Sequence, residues 1–551
     1  MHYDTPTRLV SEVTRLVQSW HPRMASVQRW YNLIRLQDDL AQVNMESVIS
    51  NDPRTGFNMA AWLLTPRTSS FRVTREILTE IEAGAAGQLE TLANRELLRA
   101  MLTSRGLLFG DPITRLVQFM LATGWYSMAS LPTPEGWVMS VWNPMSVFPH
   151  YDSNGHLVKV ARRYTVSAEE ARTKVSAEGW AHPPTWWQRN VSINSLWWEE
   201  DGGVYHAVVI GGHWAKPPTA LPLLRIPVFT GPVAGLPDDG TITDDYQWRS
   251  DVGQSVVTPV AQVVKNYDKM LTYVQQILRD TANPKYVERV RRSVLDPDKV
   301  FQRGAIFTIS PDESIDALQP PALPAELRTH EFDLRSMVQR GLFPDATFGG
   351  ITGQISSLLL SQVVAVAKQT LNPFKTRLSD VLGEAATFNV RQSLVWQRSG
   401  LHDFHLPTWA EKAYLSFLYD ITVPGDFIQR ASTARVLNPD FRLSTTSLLE
   451  VLFPEVQSAI VEQGRLQAED ATRNPIFRSV MAVGELQRAA REARQLNDEE
   501  FATRLERAAQ LMEAQMFGPP EAGQPPSADG LAGMRPEGLP PTIQQLLSPG
   551  M

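Results

Sequence analysis

The chain contains no cysteine among its 551 residues, which removes disulfide frameworks, thiolate metal sites and cysteine nucleophiles at a stroke. It also lacks a long apolar run. The most hydrophobic stretch, Leu358 to Ala367, is interrupted by Ser361 and Gln362 and is about half the ~20 residues that a membrane-spanning helix requires. A transmembrane protein is therefore not expected. Nothing resembling a secretory signal opens the sequence, so synthesis inside a cell is the default expectation. Positive charge is scarce as well: 52 Lys and Arg stand against 59 Asp and Glu, a formal net charge of −7. A protein that neutralises many phosphates draws its affinity from clustered cations, so a dedicated nucleic-acid binder is not expected. A surface that DNA passes without sticking remains compatible with that charge.

Motifs that carry chemistry are missing too. The ten histidines follow no ligand spacing, and His330-Glu331 lacks the second histidine four residues on that a zinc-protease helix needs. The run Gly349-Gly350-Ile351-Thr352-Gly353 precedes a helix. It has no Gly-Lys-Ser/Thr ending to place a lysine on a nucleotide's phosphates and a hydroxyl on magnesium. No Gly-x-Ser-x-Gly elbow occurs. Trp186-Trp187 and Trp197-Trp198, followed by Glu199-Glu200-Asp201, have the composition of a sugar-stacking platform with paired carboxylates. The acids are contiguous rather than converging from separate elements, so core or subunit-contact tryptophans are the better reading. No enzyme, metal site or cofactor is expected.

What is present is a large amphipathic chain, 43% hydrophobic, enough for three or four domains with real cores. The spacing predicts helices at Leu9–Trp20 and Met24–Leu40, split at His21-Pro22, and at Thr74–Gly84, Gln88–Thr103 and Asp111–Thr123. Thr74 and Asp111 are the candidate N-caps, and Pro112 stands where a first-turn proline is tolerated. From Gly136 to Val166 the pattern alternates. Trp137–Trp142, Ser146–Phe148 and the stretch after Leu157 read as a small β-meander, with Gly155 in a turn. Ser167 and Glu170 form a capping box for a short helix to about Ala177. Val204–Ile210 and Leu224–Phe229 read as strands, as does Asp420–Val423, whereas Phe404–Phe417 is ambiguous. Pro232 to Asp251 is a Pro-, Gly- and Asp-rich loop. Ser447 to Met516 is mostly helical, and the Pro/Gly-rich residues 517–551 read as a disordered tail.

The chain is organised around Val256 to Arg398. Val256, Val260, Val263, Tyr267, Met270, Val274 and Ile277 recur at steps of four and three, an a/d seam that calls for a neighbour. The opposite side carries Gln262, Lys265, Lys269, Thr272, Gln276 and Arg279, and Pro284 stops the helix. An excursion of about forty residues follows, with the basic cluster Lys285, Arg289, Arg291 and Arg292 and extended segments at Ala305–Ile309 and Ile315–Leu318. A helix returns after Pro324 through Leu327, Leu334, Met337 and Val338 to Gly341. A glycine-rich loop then leads into a very long helix in which Pro373 is expected to cause a kink.

This order resembles the portal, or head-to-tail connector, proteins of tailed bacteriophages. The resemblance covers roughly residues 25 to 515. It rests on Gly253 to Val257 leading into the helix that ends at Asn283-Pro284, the inserted extended module, the return helix to Phe343, the loop Phe348–Gln354 and the long helix beyond. Asn143 to Pro149 with Asp152, Gly155 and Val158 to Arg163 is similar to the wing segment of short-tailed phage portals. The resemblance implies an α+β, predominantly helical portal fold assembled as a ring. Residues 1–255 would be the N-terminal wing, 256–281 the first stem helix, 282–323 the clip and 324–343 the second stem helix. Residues 344–354 would be the tunnel loop, 355–440 the long kinked helix and the remainder of the wing, and 441–516 a helical crown. It implies a twelve-subunit ring at one capsid vertex that passes double-stranded DNA during packaging and ejection. The implied partners are capsid and scaffolding proteins, the terminase motor and tail adaptors. The virion would be the location, after synthesis in a bacterial host's cytoplasm. Thr347, Phe348, Gly349, Gly350, Ile351, Thr352, Gly353 and Gln354 would face the channel, Lys265, Lys269, Gln276 and Arg279 would form the polar stem face, and Lys285, Arg289, Arg291 and Arg292 would meet a docking partner. The alternative is a non-viral scaffold or adaptor ring that uses its helices for protein contacts only.

Overall fold

The computed structural model describes residues 3–37, 47–67, 69–74, 78–103, 110–182, 189–236, 252–282, 286–289, 311, 314–317, 325–343, 357–398, 406–421, 462–467, 483–491, 494 and 499–517. Contacts divide the chain into two units, Met1–Ser432 and Thr433–Met551. The first is α+β, with helix outweighing strand.

Its N-terminal layer is helical: α1 (Pro6–Ser19), α2 (His21–Ile34) and α3 (Asp52–Leu64). The sequence pattern did not single out α3. Next come β1 (Ser70–Val73) and α4 (Glu80–Thr103), which correct the expectation of two helices at Thr74–Gly84 and Gln88–Thr103. Thr74 is not a cap, because its N–H bonds the Tyr414 carbonyl at the end of a strand pair. The cap is Thr79, which exchanges bonds with Glu82 at 3.0 and 3.5 Å, a capping box. Helix α5 (Pro112–Thr123) starts as expected, with Asp111 accepting the Thr114 N–H at 2.9 Å, and ends on Gly124 in the left-handed conformation. Only glycine fits there: a Cβ on Gly124 would lie 2.4 Å from the Gln254 backbone, and one on Gly253 2.4 Å from the Gly124 carbonyl. The two chain segments cross backbone to backbone, and Gly253 opens the approach to the next helix.

The predicted meander is divided between two sheets. Strands β2 (Trp125–Thr133), β3 (Gly136–Val141) and β9 (Val228–Pro232) form a sheet ordered β3-β2-β9. Strands β4 (Val147–Tyr151), β5 (Leu157–Ser167), β6 (Asn190–Glu200), β7 (Gly203–Ile210) and β8 (His213–Leu221) form a sequential five-stranded sheet. Between β5 and β6 lies α6 (Ala168–Ala177), opened by Ser167 accepting the Glu170 N–H at 3.2 Å. Helix α1 covers one face of the five-stranded sheet, where Leu9, Val13 and Leu16 join Trp20, Trp125 and Trp198 in a core. A bond from Arg15, with help from Lys159, holds the Glu12 carboxyl of α1 down at about 2. Arg23 is fully buried beside them, its guanidinium 4.0 Å from the Trp125 ring centroid, and burial pulls it down to about 9. Part of the cost of desolvating that charge is offset by the indole face.

The larger core is crossed by α9 (Ser357–Arg398), named here after the helix pair α7 (Ala261–Ala282) and α8 (Ala325–Gly341) that precedes it. Leu371, Phe374, Leu378, Val381, Leu382, Phe388, Val390 and Leu394 of α9 are buried against α3, α5, β2 and the last strand of this unit. That strand, the last among the described residues of the unit, lies at Leu415–Leu418; of the strand expected at Asp420–Val423, residues 420 and 421 are not in a strand and 422 and 423 lie outside the described residues. The Leu415–Leu418 strand pairs antiparallel with β1 across the length of the unit, in register Phe71↔Phe417. Both outer edges of this two-stranded sheet are served by helix side chains: Asn94 and Glu90 of α4 accept from Phe71 and Val73, and Thr387 of α9 accepts from Leu415. The helix runs unbroken through Pro373; Gln369, whose carbonyl loses its donor there, is exposed, so water can serve it.

In the second unit the described residues are helical at 462–467, 483–491 and Glu499–Phe517. Ala490, Ala502 and Ala509 are buried, and Arg494 pairs with Glu506 at 2.8 Å. The predicted disordered tail lies outside the described residues from 518 onward.

Candidate functional surface: an antiparallel helix pair with a β-hairpin tip

Helix α7 begins after a 3-10 turn at Thr258–Val260. Residues 256–260 sit in the main core, where Val256, Val257 and Val260 are buried together with Val264. The seam is real, but its neighbour is the chain itself. Tyr267 and Met270 of α7 bury Leu334 of α8, with Val263, Leu271 and Leu327 alongside. Higher numbers on α7 meet lower numbers on α8, so the two run antiparallel. At the root of the pair Gly341 is required: a Cβ there would stand 2.3 Å from Val260 Cγ1.

Toward the far end burial falls away. Val274 and Ile277 are only partly buried there, and Tyr273 and Leu278 are exposed; on α8, Phe332 in mid-helix and Met337 one turn from the root are exposed as well, Phe332 at 72%. Met337, one of the apolar residues through which the return helix is traced in the sequence, is therefore on the surface. A helical repeat puts residues 334 and 337 about 60° apart, which is enough to carry Met337 off a seam only one side chain wide.

On the predicted polar side, Lys269 and Arg279 are exposed, and Lys265 and Gln276 are partly covered. Thr272 is not solvent-facing. It is buried, and its hydroxyl accepts the Val48 N–H at 3.1 Å while donating to the Asp268 carbonyl at 2.7 Å. Asp268 accepts the Ser50 N–H at 2.8 Å. One flank of the polar side is thus a clasp for residues 47–50, which lead into α3. No sequence pattern marks that contact, because a threonine at helical spacing reads as surface until the strand crossing it is known.

Beyond α7 the strands Tyr286–Arg289 (β10) and Ser314–Ala317 (β11) pair antiparallel, placing Arg289 opposite Ser314. Arg289 is exposed at the end of the strand pair away from α7 and α8. Lys285, Arg291 and Arg292 lie outside the described residues, as do Ala305–Ile309 and all of Thr347–Gln354.

The other candidates resolve as packing. Trp198 is buried beneath α1, and Trp197 stacks on His206 with centroids 3.9 Å apart. Glu199 accepts the Ile226 N–H and Glu200 the Trp198 indole N–H, so these acids are spent on structure. Trp186 and Trp187 lie outside the described residues. Among the described residues no group of three or more His, Asp or Glu is placed to hold a metal ion, and no helix is long and apolar enough to cross a membrane.

No protein-family model and no curated protein matches the chain. Among solved structures it is similar to a chain from the neck of an empty GTA particle computed with C6 symmetry, at 12% identity, over 73% of this chain and 90% of that one, with a TM-score of 0.40. At that level the likeness carries no functional argument, and function must be argued from the chain's own elements.

Proposed function

We propose that this chain is a portal-type connector subunit: a ring-forming protein of a phage-like particle whose bore passes double-stranded DNA and whose hairpin end docks other assembly proteins. The observation that carries the reading is the antiparallel pair α7–α8. It is rooted in the main core at Val260 and Gly341, tipped by the β10–β11 hairpin, and followed by the long helix α9 that crosses the body. A helix pair that buries one seam internally and leaves Tyr273, Leu278, Phe332 and Met337 exposed has apolar surface for copies on either side. Its remaining polar residues are the cations Lys265, Lys269 and Arg279 and the neutral amide Gln276, on a chain of net charge −7, a balance that favours weak phosphate contact over tight adhesion. On this reading the terminase motor or a tail adaptor meets the hairpin. The capsid and scaffolding proteins meet the body, the particle is the site of action, and no step is catalytic.

Microscopy of the purified protein tests the proposal. The expected image is a ring with a bore of about 20 Å or more, the width that a B-form duplex with its grooves and backbones needs. A monomer, or an open filament, overturns it. A closed ring with a bore too narrow for a duplex favours the scaffold or adaptor alternative.

A further inference from the structure

We propose that His206 is an acid-sensitive pin in the five-stranded sheet: neutral when the sheet is formed, and, once protonated, a source of repulsion that loosens strands β6, β7 and β8. This is independent of the connector reading.

Geometry decides which ring nitrogen carries the proton. Lys216 Nζ on β8 is 3.2 Å from His206 Nδ1, and Ser195 Oγ on β6 is 3.0 Å from Nε2. An ammonium group only donates, so Nδ1 accepts from it, and the single proton of neutral imidazole sits on Nε2 and is donated to Ser195. The ring also lies flat on Trp197, 8° from parallel. Both nitrogens and one face are occupied, and the side chain is buried. The same arrangement excludes the Ser195–His206 pair as a nucleophile and its base, since Nε2 already holds the proton that it would have to remove.

The surrounding charges offer the imidazolium no rescue. Strand register places Arg162 of β5 opposite Ser195 and Glu199 of β6 opposite Val204, so both share the face that His206 occupies. Arg162 is held between the rings of Trp142 and Tyr164. Glu199 is committed to the Ile226 N–H. Glu178, at the end of α6, acts on Lys216 and Arg162. The charge in contact with the ring is the Lys216 cation, and a second ring proton would have to sit on Nδ1, 3.2 Å from it. Burial first, and Lys216 second, hold His206 well below its ordinary value. An unfolded chain titrates this group near pH 6.5. Below that pH the opened sheet binds a proton that the closed sheet refuses. Stability is therefore complete above about pH 6.5 and is lost as the pH falls toward the depressed value.

Hydrogen exchange read by mass spectrometry on the full-length protein tests this, following peptides from 203–221 against peptides from α9 as an internal control. After correction for intrinsic exchange, opening of 203–221 is expected to rise by up to roughly tenfold per pH unit below about 6.5, with α9 unchanged. His206→Gln is expected to abolish that rise. Lys216→Met, a substitution at a partly exposed position, is expected to reduce it by removing the repulsion, and it carries the test alone if the first variant does not fold. Opening that is independent of pH in the wild type, or a rise that Lys216→Met leaves unchanged, overturns the proposal.

Discussion

From Leu371 to Leu394 the helix α9 lies inside the first unit, its apolar residues filled in by α3, α5, β2 and the strand at Leu415–Leu418. Some of its polar side chains there are bonded to the surrounding elements. Gln392 accepts from the Leu224 N–H and donates to the Pro222 carbonyl, and Asn389 donates to the Ser130 hydroxyl. The pair α7–α8 is treated differently. It is buried along a single seam and clasped on one flank, and it leaves four large apolar side chains at the surface. Two stretches of similar helical pattern thus differ in burial: α9 is packed within the chain, while the pair leaves apolar area that, on the proposed reading, subunit contacts would cover. The difference lies in how many directions the chain supplies neighbours from, which helical periodicity does not record.

Three substitutions test that division. The largest effect is expected from Leu378→Ala in α9, a fully buried position, where loss of the side chain and the cavity left behind cost about 2–5 kcal/mol. A urea midpoint within error of the wild type would show that α9 is not the stabilising element. Gly341→Ala sits where the two regions meet. Its new methyl carbon must displace Val260 from 2.3 Å, an overpacking cost of about 1–3 kcal/mol; the same denaturation experiment measures it. A stability equal to or above wild type would mean that the root of the pair yields without strain. The smallest effect on folding, within about 0.5 kcal/mol, is expected from Phe332→Ser on the exposed side of α8. The same variant should shift mass photometry toward smaller species. Unchanged assembly would remove Phe332 from any subunit contact, and a stability loss as large as that of Leu378→Ala would erase the distinction between the two regions.

Much of the architecture was legible residue by residue. Asp111 and Ser167 announced helix starts because a short side-chain acceptor has only the free N–H groups of a first turn to serve. The seam Val256–Ile277, the return through Leu334 to Gly341 and the long helix through Pro373 were visible because helical periodicity persists over many turns. Strands β1, β2, β6 and β8 were missed. Along β6, buried side chains point to both faces, as at Ile193, Leu196 and Trp198, so the alternation that signals a strand is absent. The two helices expected at Thr74–Gly84 and Gln88–Thr103 are, from Glu80 onward, a single helix α4 that runs through Gly84 and Gly87. Two glycines cost such a helix roughly 1 kcal/mol each, and packing of Leu89, Ala93 and Leu97 in the main core offsets that.

By itself, then, the sequence determined what local chemistry can determine: where helices begin, which side of each is apolar, and that no thiol is on offer. Only the tertiary structure decided the rest. It gave the seam of α7 to α8 rather than to a neighbouring subunit, turned Thr272 from surface into clasp, split the apparent meander between two sheets, and set His206 between Ser195, Trp197 and Lys216. Each of these depends on groups far apart along the chain. Their meeting follows from the closure of a shared core, and the alternating or helical pattern of either partner alone carries no information about the other.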